Sequence, residues 1–371
     1  MLKFKENGKF GILLFGDLHV GTDYADSQRF RDMHKLMTAA LDEYKPDLCV
    51  LLGDITTTSK VKEDPDGYAD ALKAICGPIT SRNIPVAAIM GNHEHDHDCD
   101  REILDVFSEL EGITMRSEGV KEKADYKELI YSSDGKTPLA CLWFLDSNNL
   151  YETDDTSVYD FVHTDQIKWF EEESEKLKKL NGGKPMPSYI FQHIPVPEEY
   201  RLLRKAKFFE IPYSTRGFNT HEGTRYVGAD GTQGYVGEGP CSPDINNGQF
   251  ESWKRVGGVA GAFFGHDHLN DFSGYVDNIF LAQHKTAGFG AYTDGCRSCV
   301  RYVLIDEKNP SKFTQELKHF KEFGLKCECL GPIFKRITDR QSTNMHIASK
   351  VVCGIAAAGA VIYGASKLIR R

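Results

Sequence analysis

Seven residues with metal-binding side chains each follow a short apolar stretch of the sequence. They are Asp17, His19, Asp54, Asn92, His193, His266 and His268. Carboxylate and amide oxygens and imidazole nitrogens are ligands that suit Zn, Mn or Fe. Two metal ions about 3.5–4 Å apart need a bridging carboxylate and several further nitrogen or oxygen ligands. The set supplies these ligands and therefore predicts a dinuclear metal centre.

The candidate ligands lie at the ends of predicted strands. Buried parallel strands are short, nearly continuous apolar runs, and such runs cover residues 10–15, 48–52, 85–90, 189–191 and 259–264. Glycine precedes the first ligand after four of these runs, which lets the backbone turn sharply there. Open α/β sheets bind ligands outside the carboxyl ends of their strands. We therefore expect the seven side chains to meet at one edge.

Amphipathic helices separate these strands, which indicates an α/β fold. The helices are predicted at residues 28–43, 68–75, 101–110, 164–180 and 247–255. Four more strands are predicted, at residues 139–145, 279–282, 300–305 and 313–320. The last three are expected to form a meander that completes a second sheet.

Four longer motifs carry a resemblance to a known family. They are residues 143–147 (WFLDS), 193–198 (HIPVPE), 241–246 (CSPDIN) and 265–271 (GHDHLND). With the ligand set, they make the chain resemble the calcineurin-like metallophosphoesterase superfamily from about residue 11 to residue 306. Within it, the resemblance is to the Dcr2-type phosphatases and the plant purple-acid-phosphatase-like proteins. It implies a four-layer αββα sandwich with a dimetal site at the strand ends.

The resemblance also implies how the ligands divide between two metal ions. One ion would be held by Asp17, His19 and His268, and the other by Asn92, His193 and His266. Asp54 would bridge the two. Thr57 stands where purple acid phosphatases have the tyrosine that binds Fe(III). Mn, Fe or Zn without an iron–tyrosinate bond is therefore expected.

The chemistry implied by the resemblance is hydrolysis of phosphomonoesters, phosphoproteins among them. A metal ion lowers the pKa of its bound water from 15.7 towards about 7, and the resulting hydroxide would attack phosphorus in line. His93, next to Asn92, would act as the general acid. Asp267, Asn270 and Asp271 either orient the histidines or cap a turn.

Two other classes of function stay open. One is a phosphodiesterase or nuclease of the same fold, and the other is a non-catalytic interaction module. The formal net charge of −9 argues against broad electrostatic binding to nucleic acid, and favours the phosphomonoesterase. His93 disfavours the module, because members of the superfamily that lose this histidine can persist as binding proteins.

Two further clusters each admit two interpretations. Residues 95–100 are crowded with His and Asp, and are either a metal-binding tract or a solvated loop that caps the following helix. The cysteines Cys296, Cys299, Cys327 and Cys329 either form a Cys₄ zinc site or stay unpaired and reduced.

The domain organisation follows from these patterns. A phosphoesterase domain is predicted at residues 1–325, a linker at 326–346 and a separate C-terminal segment at 347–371. Within the domain, the glycine-rich residues 208–239 lack periodicity. They are either a lid that faces the substrate or a surface insertion.

The C-terminal segment is predicted to be a membrane anchor. Residues 351–366 carry no charge and lie between Lys350 and Lys367. Such a helix reaches only about 24 Å of the ~30 Å hydrocarbon core, so flanking apolar residues and snorkelling lysines would complete the span. The alternatives are a helix packed on the catalytic domain and an interfacial helix. With no N-terminal secretory signal, the phosphatase would face the cytosol, from the ER or the mitochondrial outer membrane.

Overall fold

The computed structural model describes residues 1–21, 24–57, 60–152, 157–329, 349–356 and 358–359. The strands, numbered in chain order, are β1 (Leu2–Lys3), β2 (Lys9–Phe15), β3 (Leu48–Leu51), β4 (Val86–Ala88), β5 (Ile113–Thr114), β6 (Tyr126–Tyr131), β7 (Pro138–Leu145), β8 (Leu150–Glu152), β9 (Ser157–Tyr159), β10 (Ser188–Gln192), β11 (Leu203–Lys205), β12 (Thr215–Arg216), β13 (Arg225–Gly228), β14 (Val259–Phe264), β15 (Ser273–Val276), β16 (Ile279–Gln283), β17 (Cys299–Asp306) and β18 (Asn309–His319). The α-helices are α1 (Gln28–Tyr44), α2 (Pro65–Thr80), α3 (Asp100–Glu109), α4 (Thr164–Leu180) and α5 (Gln249–Val256).

Two large sheets carry the fold. One has six strands in the order β18-β17-β2-β3-β4-β5, and the other has seven in the order β1-β6-β7-β10-β14-β16-β15. Strands β2 to β5 are parallel, with α1, α2 and α3 as the crossovers that parallel neighbours need. Strands β7, β10, β14 and β16 are also parallel, and α4 and α5 connect the first three.

The two large sheets share one hydrophobic core. Successive residues of a strand point to opposite faces, as β7 illustrates. Leu142 and Phe144 enter the core shared with β2 and helices α1–α3, whereas Trp143 and Leu145 enter a second core with α4 and α5. Packing on both faces fixes the strand ends relative to one another.

This mixed α/β architecture confirms the predicted fold class, but the predicted meander is wrong. Strands β15 and β16 close one edge of the seven-stranded sheet, whereas β17 pairs with β2 of the six-stranded sheet and carries β18 with it. An apolar run predicts a strand without naming its partner, because pairing depends on contacts distant in sequence.

The segment 208–239 contains regular structure that its sequence pattern did not reveal. Strands β12 and β13 pair with each other, and β13 also pairs with β11, which precedes the segment. These strands have two to four residues, too few to show the alternation that marks a half-buried strand.

The predicted transmembrane anchor is wrong. No helix within the described ranges is both long and apolar enough to cross a membrane. The side chains of Val351, Val352 and Ile355 are exposed, so this part of the segment is not packed on the catalytic domain either. The apolar run is short and rich in Ala and Gly, which limits its hydrophobicity. Most of the predicted linker and the rest of the tail, at residues 330–348 and 360–371, lie outside the described residues.

Candidate metal centre

The seven predicted ligands lie at the carboxyl ends of strands from both large sheets. In the six-stranded sheet, Asp17 and His19 follow β2, Asp54 follows β3 and Asn92 follows β4. In the seven-stranded sheet, His193 follows β10, while His266 and His268 follow β14. All seven are buried. The site is therefore built where the ends of the two sheets meet.

One group of ligands contains the residues predicted for the first metal ion. Potential ligand atoms of Asp17, His19, Asp54 and His268 lie within 4.8 Å of one another. The Nε2 atoms of His19 and His268 are 3.0 Å apart. His268 Nε2 is 3.7 Å from Asp17 Oδ1, and His19 Nε2 is 3.5 Å from Asp54 Oδ2.

A second group shares Asp54 with the first. Ligand atoms of Asp54, His193 and His266 also lie within 4.8 Å of one another. His193 Nε2 is 3.2 Å from Asp54 Oδ2 and 3.1 Å from Asn92 Oδ1. The Oδ2 atom of Asp54 therefore faces both groups, which is the position a bridging ligand needs.

Several features of the site fit two divalent ions. The buried atoms Asp17 Oδ2 and His266 Nε2 have no hydrogen-bond partner in the described structure, although buried polar atoms are normally paired. His193 Nδ1 donates to the carbonyl of Leu52 at 2.7 Å, and His268 Nδ1 donates to that of Tyr292 at 2.8 Å. Such bonds turn the Nε2 atoms inward, as in metal-binding histidines.

The charge states also suit metal binding. Burial lowers the pKa of His19 to about 3 and that of His268 to about 4, so both rings are neutral at pH 7. Burial opposes ionisation of Asp54, yet the charge of His193 and its hydrogen bond hold the Asp54 pKa well below its usual range. Burial also opposes the charged form of His193 and so lowers its pKa, but Asp54 beside it outweighs burial and raises the pKa to about 9. Metal binding displaces such a proton.

Four of the ligands have a left-handed backbone that residues other than glycine rarely adopt. Their φ angles are +52° at Asp17, +46° at His19, +49° at Asp54 and +76° at His266. Each such conformation costs on the order of 1–3 kcal/mol, and such residues cluster at functional sites. The surrounding packing must therefore hold these four residues in place.

The glycines before the ligands have a different role from the one predicted. Of the four, Gly53 has a positive φ angle, +81°, whereas Gly16, Gly91 and Gly265 do not. A Cβ atom on Gly91 would lie 2.2 Å from Asp54 Oδ1, and one on Gly265 would lie 2.6 Å from the carbonyl oxygen of Leu52. These two glycines therefore give the loops room to approach each other.

His93 lies at the rim of the centre. Its side chain is 46% exposed, and its Nδ1 is 2.6 Å from Asp96 Oδ2. Its ring faces that of His19 edge-on, with 5.3 Å between centroids. Burial lowers the pKa of His93, but the charges of Asp54 and Asp96 outweigh it and raise the pKa above its usual value. The position suits a proton donor.

Glu94 is a functional residue that the sequence reasoning missed. Its Oε2 accepts the backbone N–H groups of Gly91 and Asp54, each at 2.8 Å. Its Oε1 accepts those of Ile55 at 2.8 Å and Thr56 at 3.3 Å. One buried carboxylate thus joins the two loops that carry Asp54 and Asn92. Its place directly after Asn92 and His93 was the available signal.

Asp267, Asn270 and Asp271 anchor the insertion rather than cap an isolated turn. Their side-chain oxygens accept hydrogen bonds at 2.6–3.1 Å from backbone N–H groups of residues 235, 237, 238 and 241. The loop that carries His266 and His268 is thereby tied to the end of the segment 208–239.

Aromatic rings border the centre on two sides. Tyr159 meets the ring of His266 edge-on at 4.3 Å between centroids, and Phe218 of the insertion lies 5.5 Å from Tyr159. Tyr292 stacks on His268 at 4.1 Å. The insertion thus reaches the centre through Phe218, and its action as a lid stays a prediction.

The expectation of a solvated loop at residues 95–100 is wrong at its first residue. The side chain of His95 is buried and lies between two carboxylates. Its Nδ1 is 2.8 Å from Asp100 Oδ2, and its Nε2 is 2.9 Å from Asp146 Oδ1. Asp146 belongs to the WFLDS motif, so this ion pair connects β7 to the start of α3.

Of the two interpretations of the four cysteines, the Cys₄ zinc site is not assembled in the described structure. Among the described residues, Cys327 and Cys329 are grouped with Asp32 rather than with Cys296 and Cys299. None of the ten cysteines, all of which lie within the described ranges, forms a disulfide bond.

The chain was compared with known protein families, sequences and structures. The model of the calcineurin-like phosphoesterase family matches residues 10–270. The chain is 28% identical to probable inactive purple acid phosphatase 29 of Arabidopsis thaliana, over 82% of this chain and 79% of that protein. It is 26% identical to phosphatase DCR2 of Saccharomyces cerevisiae, over 73% of this chain and 46% of that protein. A solved dimetal phosphatase from Danio rerio aligns with a TM-score of 0.49 at 13% identity, over 84% of this chain and 99% of that one. All seven predicted ligands and His93 lie inside the range matched by the family model.

Proposed function

The chain belongs to the calcineurin-like phosphoesterase family, hydrolases of phosphoester bonds, and we propose that it is a phosphatase that uses two metal ions to hydrolyse phosphomonoesters. The observation that carries the proposal is the position of Asp54. Its Oδ2 lies 3.5 Å from His19 Nε2 and 3.2 Å from His193 Nε2, so one carboxylate oxygen serves two groups of ligands. The layering of α1–α3, the two sheets and α4–α5 around two cores supports the αββα arrangement expected of such enzymes.

Each residue has a distinct task in this proposal. Asp17, His19, His268 and Asp54 would hold one ion, and Asn92, His193, His266 and Asp54 the other. Two bound ions of Mn, Fe or Zn would acidify a coordinated water and neutralise charge on the phosphoryl oxygens. Asp54 supplies negative charge between the groups, and the Leu52 and Tyr292 carbonyls keep His193 and His268 turned inward.

His93 would donate a proton to the leaving oxygen. It is the half-exposed histidine beside the centre, and Asp96 holds its Nδ1 so that Nε2 is available to the substrate. The N–H of its own backbone bonds Asp54 Oδ1 at 3.0 Å, which fixes the ring relative to the bridging carboxylate. General acid catalysis of this kind contributes about 10²–10⁴-fold.

The relatives raise one alternative, a non-catalytic module, because three of them are named probable inactive phosphatases. The complete set of seven ligands together with His93 supports catalysis in this chain. A phosphodiesterase of the same fold is the other alternative, and the proton donor alone does not separate it from a phosphomonoesterase.

Hydrolysis of two model substrates tests the proposal. The purified chain with Mn(II) should hydrolyse p-nitrophenyl phosphate faster than bis-p-nitrophenyl phosphate, and EDTA should stop the reaction. Faster hydrolysis of the diester would favour the phosphodiesterase. No hydrolysis of either ester by fully metal-loaded protein would favour the module.

A further inference from the structure

A second cluster of metal-binding side chains lies outside the dinuclear centre. It contains Asp32 of α1 with Cys327 and Cys329, and their ligand atoms lie within 4.8 Å of one another. Asp32 and Cys327 are buried, and Cys329 is partly buried. We infer that these three residues bind a zinc ion that ties the end of the phosphoesterase domain to α1. This inference is independent of the proposed phosphatase activity.

The spacing of the three side chains matches a tetrahedral zinc site. The Sγ atoms of Cys327 and Cys329 are 3.6 Å apart, and Cys327 Sγ is 3.4 Å from Asp32 Oδ2. With Zn–S bonds of about 2.3 Å and a Zn–O bond of about 2.0 Å, tetrahedral ligands stand about 3.8 Å (S to S) and about 3.5 Å (S to O) apart. These two spacings differ from the tetrahedral values by only about 0.1–0.2 Å.

The surroundings hold the carboxylate in position. The backbone N–H groups of Glu328 and Cys329 donate to Asp32 Oδ2 at 2.7 and 2.8 Å. Lys35 Nζ donates to Asp32 Oδ1 at 2.9 Å. These bonds fix the orientation of the Asp32 carboxylate, and a zinc ion bound at Oδ2 would share that oxygen with the two N–H groups.

The net charge of the loaded site would be small. Zinc binding would release one proton from each thiol to solvent, so two thiolates, one carboxylate and Zn²⁺ would carry a net charge of −1. The ammonium group of Lys35, which is next to Asp32, offsets this charge. The same ammonium group bonds Glu328 Oε1 at 3.0 Å.

A cavity offers an entry path and a fourth ligand. Cys329 lines a cavity of about 460 Å³ together with Phe30, Met33 and His19. Zinc takes four ligands in proteins, and at sites with three protein ligands water is the fourth. A water molecule from this cavity would complete the coordination.

The position of the cluster explains what zinc would do. Cys327 belongs to the core shared by the two sheets. The turn 327–329 is held to α1 through Asp32, and α1 follows the loop that carries His19. A zinc ion here would therefore stabilise the end of the domain without taking part in catalysis.

The absorption spectrum of the full chain with bound Co(II) provides a direct test. A thiolate–Co(II) band in the near ultraviolet marks sulfur ligands. The seven ligands of the dinuclear centre contain no sulfur, so they cannot give this band. We expect the band in the wild-type protein and in Asp54→Asn, and its loss in the double variant Cys327→Ser, Cys329→Ser. The matched control is Cys241→Ser, because Cys241 lies beside His266 and Asp267; it should keep the band. The double variant should also bind one zinc ion fewer per chain than the wild type.

Alkylation of the wild-type protein removes any dependence on the folding of variants. Zinc should slow the reaction of N-ethylmaleimide with both Cys327 and Cys329 at least tenfold, as read by mass spectrometry. Equal alkylation rates with and without zinc, an unchanged cobalt band in the double variant, or a Cys327–Cys329 disulfide in the native protein would overturn the inference.

Discussion

Glu94 Oε2 accepts the backbone N–H of Asp54 at 2.8 Å, so the Glu94 carboxylate holds the backbone of the proposed bridging residue. The Glu94 carboxylate also accepts the backbone N–H groups of Ile55, Thr56 and Gly91. In Glu94→Gln an amide NH₂ group would face these donors. Because loss of such outer contacts typically costs 10–100-fold, we expect a decrease of that size in metal affinity or in hydrolysis of p-nitrophenyl phosphate.

The control for Glu94→Gln is Glu109→Gln, at the exposed end of α3. It should match the wild type in metal content and rate. Glu94→Gln with wild-type metal affinity and rate would show that the four hydrogen bonds do not position Asp54.

Replacement of His93 should separate proton donation from metal binding. We expect His93→Ala to keep both metal ions and to lose about 10²–10⁴-fold in rate on esters with poor leaving groups. The loss should shrink on activated aryl phosphates, which leave without a proton. The control is His163→Ala, because His163 is also partly exposed and paired with an aspartate, Asp160. Loss of metal in His93→Ala would make His93 a structural residue.

A single methyl group at Gly91 should disrupt the centre. In Gly91→Ala, Cβ would lie 2.2 Å from Asp54 Oδ1, so the bridging carboxylate would have to move. We expect loss of most metal binding and activity. Gly77→Ala in α2 is the control, since nothing lies within 4 Å of its Cβ position. It should keep full activity. Full activity in Gly91→Ala would contradict the geometry of the site.

The buried His95 should make stability depend on pH. Burial lowers its pKa, but Asp146 and Asp100 outweigh burial and raise it to about 10, against about 6.5 in the unfolded chain. At pH values between these two pKa values, the His95 ring is therefore protonated in the folded state but not in the unfolded state. The resulting stabilisation is complete below about pH 6.5 and is lost as the pH rises towards 10.

Urea unfolding at pH 7, 8 and 9 measures this dependence. The free energy of unfolding of the wild type should fall with pH more steeply than that of His95→Gln, by up to about 1.4 kcal/mol per pH unit for one proton. Identical slopes for the two proteins would show that His95 is not protonated in the folded state.

The ligands could be predicted from the sequence because each is tied to a strong local signal. An apolar run marks a strand, a polar residue directly after it marks the strand end, and parallel strands bring their ends to the same edge. His193 and His266, which follow the neighbouring parallel strands β10 and β14, are joined in this way, with 5.1 Å between their ring centroids. No contact had to be known to place them together.

What the sequence did not predict depends on contacts between distant segments. His95 looked like a loop residue because its partner Asp146 lies 51 residues away. The pairing of β17 with β2 and the role of Gly91 beside Asp54 have the same origin. The prediction of a membrane anchor was wrong for a different reason. A run of sixteen residues rich in Ala and Gly lacks charge, as a transmembrane helix does, but it is shorter and less hydrophobic than such a helix.

The most direct test of the central claim, that Asp54 joins two metal ions in one hydrolytic site, is the metal content and activity of Asp54→Asn measured on one preparation. The wild-type chain should bind two Mn(II) ions and hydrolyse p-nitrophenyl phosphate until EDTA is added. Asp54→Asn should retain fewer than two ions and lose at least about 100-fold in rate, with its fold intact by circular dichroism. Wild-type activity in Asp54→Asn, or activity of the wild type that survives removal of the metal, would contradict the proposed centre.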